Sequence, residues 1–194
     1  MMHDKLVVWE PQAKSCSPDT FEEHKQLFTS GEVNVFSPNH AELQQFFPPG
    51  GVADTGFDKA TVEHQARAFL PSGKDINTTK VQCILIRCAE HGCYILSTSP
   101  SRQVSAWLPA FYSQRKQHRV VDPTGGGNAF LGGFAMGYLE TTNYVQAAKY
   151  GTVAASFAVE VVGLPDVKTC NARARLEEYE NMLGAVSQTR EVLR

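Results

Sequence analysis

No apolar stretch in the sequence approaches membrane-spanning length, and the opening Met1-Met-His-Asp-Lys5 lacks the layout of a secretion signal. No membrane partner is therefore expected. There is no run rich in Lys or Arg either. The 18 basic and 20 acidic residues leave a net charge of −2, which gives no reason to expect nucleic acid as a direct partner. The five cysteines, Cys16, Cys83, Cys88, Cys93 and Cys170, include no C-x-x-C pair. An odd count without a secretion signal reads as reduced thiols in a cytoplasmic chain. Three of them, Cys83, Cys88 and Cys93, lie in apolar strand-like runs, where buried free thiols are common. The six histidines are scattered without a second ligand at metal spacing, so turn and surface positions account for them and no zinc site is expected. Internal repeats and low-complexity segments are absent, and no Lys-Ser or Lys-Thr follows a glycine run, which excludes a Walker loop.

What is present suits one domain with a sizeable core: 194 residues, 42% apolar and 20% charged. Leu6–Trp9 reads as a buried strand ended by Glu10-Pro11. Ser17-Pro-Asp19 offers a helix start, with Phe21, His24, Leu27 and Phe28 at helical spacing. Val33–Phe36 is a second strand. Asn39 to Glu42 opens the next helix, with Leu43, Phe46 and Phe47 on its apolar face and Pro48-Pro-Gly-Gly51 as its stop. A helix over Lys59 to Leu70 and a polar connection over Ser72 to Thr79 precede a continuous apolar strand, Gln82–Arg87. His91-Gly92 turns the chain into Cys93–Leu96, and after a Ser/Pro-rich turn Val104–Leu108 makes this region partly antiparallel. Near the end come a long small-residue helix from Tyr144 to about Val162, stopped by Gly163-Leu-Pro165, an amphipathic helix over 170–184 and a frayed tail over 185–194. Strands alternating with helices indicate an α/β sheet, in which ligands bind at the carboxyl ends of the strands.

The stretch Arg119 to Phe134 is the most informative. Val120 and Val121 predict a strand that ends at Asp122-Pro123; three glycines, Gly125 to Gly127, then lead into a helix carrying Phe130, Leu131, Phe134, Tyr138 and Leu139. Glycine lets a ligand approach the backbone, and a helix N-terminus attracts anions, phosphate above all. The same pattern also describes a turn that uses glycine for packing alone. The G-x-G-x-x-G spacing of dinucleotide sites is not reproduced. Asn39-x-x-Glu42 also follows a predicted strand, so the two segments can converge on one site.

Asp122-Pro-Thr-Gly-Gly-Gly-Asn-Ala-Phe-Leu-Gly-Gly-Phe134 resembles the second signature, D-T-x-G-A-G-D-x-F, of the PfkB/ribokinase family of carbohydrate kinases. Further segments match in the family's order. Val35-Phe-Ser-Pro-Asn39-His-Ala-Glu42 is similar to its N-x-x-E element, Ile86 to Tyr94 to its T-x-G-x-x-G turn, and Ala148 to Val159 to its alanine-rich helix beside the adenine. The opening Trp9-Glu-Pro11 is similar to a fungal branch linked to maintaining double-stranded RNA virus particles. The resemblance implies a ribokinase-like three-layer α/β/α sandwich with a mostly parallel sheet. Residues 1–194 would form a single partial domain, the C-terminal nucleotide-binding portion. Family members carry a long preceding portion with the sugar-binding residues and a β lid that often makes the dimer contact. With those N-terminal strands and the lid missing, an exposed sheet edge is expected. A sugar substrate or a lid-mediated homodimer would need that portion.

The resemblance also implies roles. Gly125, Gly126 and Gly127 form an anion hole for the phosphoryl group of ATP, and Asn128 stands at the position of the family's catalytic base, an Asp. Asn39 and Glu42 help hold phosphate and Mg²⁺, Glu42 through water. Thr124, Arg87, Gly92 and Thr152 border the nucleotide. Glu42 in a first helical turn also fits a plain partner of the helix dipole, Asp122 fits a loop-fixing acceptor, and His91 fits a hairpin residue as well as one facing nucleotide. Departures from the family pattern are Asn128 for Asp, Arg87 for Thr, Ala89 for Gly and Thr152 for Asn. An amide has no proton-accepting state near neutral pH. The implied function is ATP-dependent phosphoryl transfer to a sugar hydroxyl, impaired or lost in this chain. The alternative is a catalytically silent pseudokinase acting as an interaction or scaffold protein.

Overall fold

The computed structural model describes residues 5–48, 56–70, 81–98 and 104–192. The chain divides into two compact units, Met1–Leu108 and Pro109–Arg194. The expected connection at 72–79, the stop at 49–51 and the turn at 99–103 lie outside the described residues.

The first unit is built on a five-stranded sheet in the order β1-β2-β3-β4-β5. β1 (Val8–Trp9), β2 (Val35–Phe36) and β3 (Gln82–Arg87) pair in parallel, with Val8 opposite Val35 and Val35 opposite Cys83. β4 (Cys93–Thr98) runs antiparallel between β3 and β5 (Val104–Leu108), so β1, β2, β3 and β5 share one direction. The apolar run of β3 is buried on both faces, as its lack of alternation predicts: Cys83, Ile84, Leu85 and Ile86 are fully inaccessible. One face is packed by α1 (Phe21–Thr29), α2 (His40–Gln45) and α3 (Lys59–Ala68). Phe28 of α1 and the C-cap residues of α2 and α3, Phe46 and Phe69, meet Phe36, Ile84 and Tyr94 of the sheet. Phe69 lies 4.8 Å from Phe21 and 4.9 Å from Phe36 in tilted and edge-on contacts, which add to simple burial. Before α1, Ser17 and Thr20 form a capping box around Pro18, whose fixed φ suits a first helical turn. α3 is capped by Asp58, which accepts from the backbone N–H groups of Ala60 and Thr61.

The second unit is helical: α4 (Gly126–Thr141), α5 (Tyr144–Ala158) and α6 (Ala172–Val192). α4 and α5 are joined by Thr142, which takes a left-handed conformation, and Asn143, whose side chain caps α5 by accepting from Val145 and Gln146 N–H. They lie close because small residues face each other. A Cβ on Gly133 would sit 2.6 Å from Ala154 Cβ and 2.7 Å from the Tyr150 carbonyl oxygen, and one on Gly151 2.8 Å from the Phe130 carbonyl oxygen. α6 is held by Tyr179, fully buried against Phe111, with its hydroxyl donating to the Pro109 carbonyl at 2.6 Å.

Three expectations change. Val120 and Val121 are not a strand: Gln114–Arg119 winds as a 3-10 helix, and Val121 is 60% exposed. The N–H groups of Val121 and Asp122 both donate to the Val159 carbonyl, at 2.8 and 3.2 Å. This docks the segment on the end of α5 instead of on a ladder. α5 itself ends at Ala158, short of Val162, and α6 runs on to Val192, past residue 184. Leu27 and Leu139, placed on apolar faces by spacing, are exposed.

Candidate nucleotide site

In the first unit, the chemistry gathers at the carboxyl ends of the parallel strands. Glu10 follows β1, Ser37 to Glu42 follow β2, and Arg87 closes β3, where it forms a parallel bridge with Asn39. Asn39 is the N-cap of α2: its Oδ1 accepts from Glu42 N at 2.9 Å, and its own N–H donates to Glu42 Oε2 at 2.7 Å. This is a reciprocal capping box, a role that the N-x-x-E spacing serves whatever else it does. Arg87 Nη2 donates to Glu10 Oε1 at 2.5 Å and to the Ser37 carbonyl at 3.0 Å, and lies 3.7 Å from Glu42 Oε2. The Arg87 and Glu42 side chains are each only 11% exposed, and Arg87 Nε is buried without a hydrogen-bond partner among the described residues.

The turn after β3 brings Gly92 to φ 92°, ψ −138°, a conformation that needs glycine, and Ala89 to φ 47°. The His91 ring stacks on Phe57 at 3.8 Å with a 5° interplanar angle, so one of its faces is taken up by packing. The cysteines here are chemically quiet. Burial pushes Cys88 up to about 12 and holds Cys83 and Cys93 well above the ordinary thiol value.

In the second unit, the glycine loop opens α4. Asp122 Oδ1 accepts from the Thr124 N–H at 2.9 Å, closing a short Asx turn, and the bonds from Thr124 hold its carboxyl below the usual range. Gly125 is the left-handed N-cap at φ 80°, where a side chain would be strained. Gly126 is buried, and a Cβ there would meet Val159 Cγ1 at 2.9 Å. Among the described residues no side chain caps this helix end, although the Gly126 N–H donates to the Pro123 carbonyl at 3.1 Å. The N-terminus of a sixteen-residue helix is therefore open to an acceptor supplied from outside, beside the exposed Thr124 and Asn128. Thr152 is buried in α5, and its hydroxyl donates to the Ala148 carbonyl of its own helix at 2.9 Å.

The structure thus brings Asn39, Glu42 and Arg87 together in one unit, and Thr124, Gly125, Gly126, Gly127 and Asn128 together in the other. Sequence reading missed Glu10 as a member of the first group. Its signal is an acid placed directly after the first parallel strand, at the carboxyl end where such sheets bind ligands.

The fold is ribokinase-like, and the profile of the pfkB family carbohydrate kinase matches residues 7–169. The chain belongs to that family. Among curated proteins it is similar to Protein MAK32 of Saccharomyces cerevisiae, 31% identical over 163 residues that cover 82% of this chain and 42% of that protein. Among solved structures it resembles ribokinase from Thermotoga maritima, with a TM-score of 0.54 and 20% identity over 93% of this chain and 50% of the other. The structure of Arabidopsis thaliana ribokinase complexed with ribose and ATP is matched with a TM-score of 0.52 and 21% identity, over 78% of this chain and 43% of that one. The chain spans half or less of the length of each of these. Among the described residues no helix is long and apolar enough to cross a membrane.

Proposed function

We propose that this chain binds ATP as the nucleotide-binding portion of a PfkB-type carbohydrate kinase and is impaired in phosphoryl transfer. The single observation that carries the reading is the uncapped N-terminus of α4, opened by Gly125 at φ 80° and by Gly126 at a place where a Cβ would meet Val159. Such a cradle fits a phosphate: backbone N–H groups and the helix dipole face an acceptor that no described side chain supplies. ATP, when bound, supplies the phosphoryl group. Thr124 and Gly125 to Gly127 hold its oxygens, Asp122 fixes the loop through Thr124, and the region of Thr152 borders the rest of the nucleotide.

Asn128 limits the reaction. It stands where the family has an acid that takes the proton from the acceptor hydroxyl, and an amide cannot accept it. Positioning and electrostatics supply much of the catalysis in phosphoryl transfer, so the loss is a reduction and not an abolition. Titration calorimetry with ATP and Mg²⁺ tests the binding step. Saturable heat and a raised melting temperature are expected, and neither heat nor shift at millimolar nucleotide would sink the reading. The catalytic step is tested in a form that also carries the preceding sugar-binding portion, with D-ribose as acceptor, chosen because the Arabidopsis ribokinase was solved with ribose. Asn128→Asp should raise turnover by about 10²–10⁴.

The same residue favours a second reading, a catalytically silent relative that acts as an interaction or scaffold protein. No gain in turnover from Asn128→Asp, with ATP binding intact, would select it.

A further inference from the structure

Of the residues Thr124 to Asn128, Gly126 alone is buried, and its backbone gives no reason for glycine. It is the first residue of α4, outside the left-handed region that Gly125 occupies, in a conformation that alanine takes readily. The signature D-T-x-G-A-G-D-x-F indeed has alanine at this place, where this chain has glycine. One atom excludes a side chain here. A Cβ on Gly126 would lie 2.9 Å from Val159 Cγ1, and no other described atom beyond its own helix turn and chain neighbours lies within 4 Å of it. Val159 is not free to yield. It is the C-cap of α5, its N–H donates to the Ala155 carbonyl at 3.1 Å, and a β-branched side chain is stiff. That side chain packs against the cluster of Phe111, Tyr112, Val153 and Tyr179, and the next residue, Glu160, accepts from Arg175 at 3.0 Å. The Val159 carbonyl in turn accepts the N–H groups of Val121 at 2.8 Å and Asp122 at 3.2 Å. One residue therefore grips the loop on both sides of Gly125, by its backbone before it and by its side chain after it.

We propose that Val159 is the positioning residue of the phosphate loop: its γ-methyl seats Gly126 and its carbonyl holds Val121 and Asp122, so the end of α5 sets where the N–H groups of the loop lie. Resting on the ATP reading above, this adds the residue that fixes the geometry of the cradle. The test is a double-mutant cycle on the full chain, read as ATP affinity by titration calorimetry with Mg²⁺ and as the urea midpoint by helix circular dichroism. Gly126→Ala should weaken ATP binding about tenfold or more, because the crowded first turn of α4 must shift. Val159→Ala should weaken it about threefold or more, because the loop loses its seat. The double variant moves the methyl to the other side of the same contact and should return to within about threefold of wild type. Asn143→Ala removes the cap at the opposite end of α5 and should lower the midpoint with ATP affinity unchanged. Losses of affinity that multiply in the double variant overturn the inference, as does an equal loss in Asn143→Ala, which would trace the effect to stability alone. If Gly126→Ala does not fold, amide hydrogen exchange of the wild type decides: Val121 and Asp122 should slow on addition of ATP, and unchanged rates overturn the inference. A folded wild type that binds no ATP overturns the ATP reading instead. The seat is then judged by the urea midpoints of the cycle, where non-additive shifts sustain it and additive shifts overturn it.

Discussion

Ala89 takes a backbone conformation, φ 47°, that costs an L-residue about 1–2 kcal/mol. Its side chain is exposed and gives no packing in return. Replacing it by glycine removes that strain but adds about 0.4–1 kcal/mol of unfolded-chain entropy. Ala89→Gly should therefore stabilise the chain by about 0.5–1 kcal/mol, read as a rise in the urea midpoint of tryptophan fluorescence; a fall would contradict the strain. Both tryptophans, Trp9 and Trp107, lie in the first unit and report on it. Gly92→Ala, at φ 92°, should move the midpoint the other way. Residue identity was a good guide wherever chemistry dictates backbone shape: the departure at Ala89 and the glycine at 92 both mark real left-handed positions. It was a poor guide to side-chain partners. The spacing Asn39-x-x-Glu42 suits a capping box, but nothing in it announces that its acid also faces Arg87, because Arg87 and Glu10 are remote in sequence and meet only when three parallel strands align.

At the scale of elements, the contact between α4 and α5 separates two neighbouring glycines. Gly133 faces Ala154 Cβ at 2.6 Å and the Tyr150 carbonyl oxygen at 2.7 Å from an added Cβ, while Gly132 is exposed with nothing within 4 Å. Gly132→Ala should stabilise α4 by up to about 1 kcal/mol through helix propensity. Gly133→Ala gains the same propensity but forces the helices apart, an overpacking cost of about 1–3 kcal/mol, and should be net destabilising. The midpoint of urea unfolding followed by helix circular dichroism checks both, and equal effects would show that the close approach carries no energy. The existence of α4 and α5 was readable from helical spacing, and β3 from a continuous apolar run that is buried on both faces. The strand expected at Val120-Val121 was not there. β-branched residues favour a ladder only where a neighbouring strand is free, and here the N–H groups of Val121 and Asp122 go to the Val159 carbonyl. The same docking coincides with the end of α5, which the continuing apolar sequence did not disclose.

Across the whole molecule, charged groups with folded partners set how stability depends on pH. The first unit has an aromatic and aliphatic core, with the Arg87–Glu10 pair and the Asp58 cap beside it. The second unit has a charged network at the end of α5. Arg175 Nη1 donates to Glu160 Oε2 at 3.0 Å and its guanidinium lies 3.8 Å from the Phe157 ring centre, while Tyr112 donates to Glu160 Oε1 and Arg119 lies 3.8 Å from that oxygen. Burial alone would push the Glu160 carboxyl up, but the bonds from Tyr112 and Arg175 and the charges of both arginines outweigh it, so its pKa falls below the ordinary 4.5. A depressed carboxylate contributes stability that is complete above its unfolded value and is lost as pH falls from there through the lower folded value. Tyr112 acts at the opposite end. Burial first, and its bond to Glu160 second, raise its pKa above the ordinary 10.0, so stability falls again as pH climbs from that value through the folded one. Urea midpoints by circular dichroism should therefore form a plateau that drops on the acid side below about 4.5 and on the alkaline side above about 10. Glu160→Gln should lower the plateau by leaving Arg175 without its charge partner, and should flatten both flanks. A Glu160→Gln variant that keeps the wild-type acid slope would mean that other carboxylates govern the acid limit and that this network does not set it.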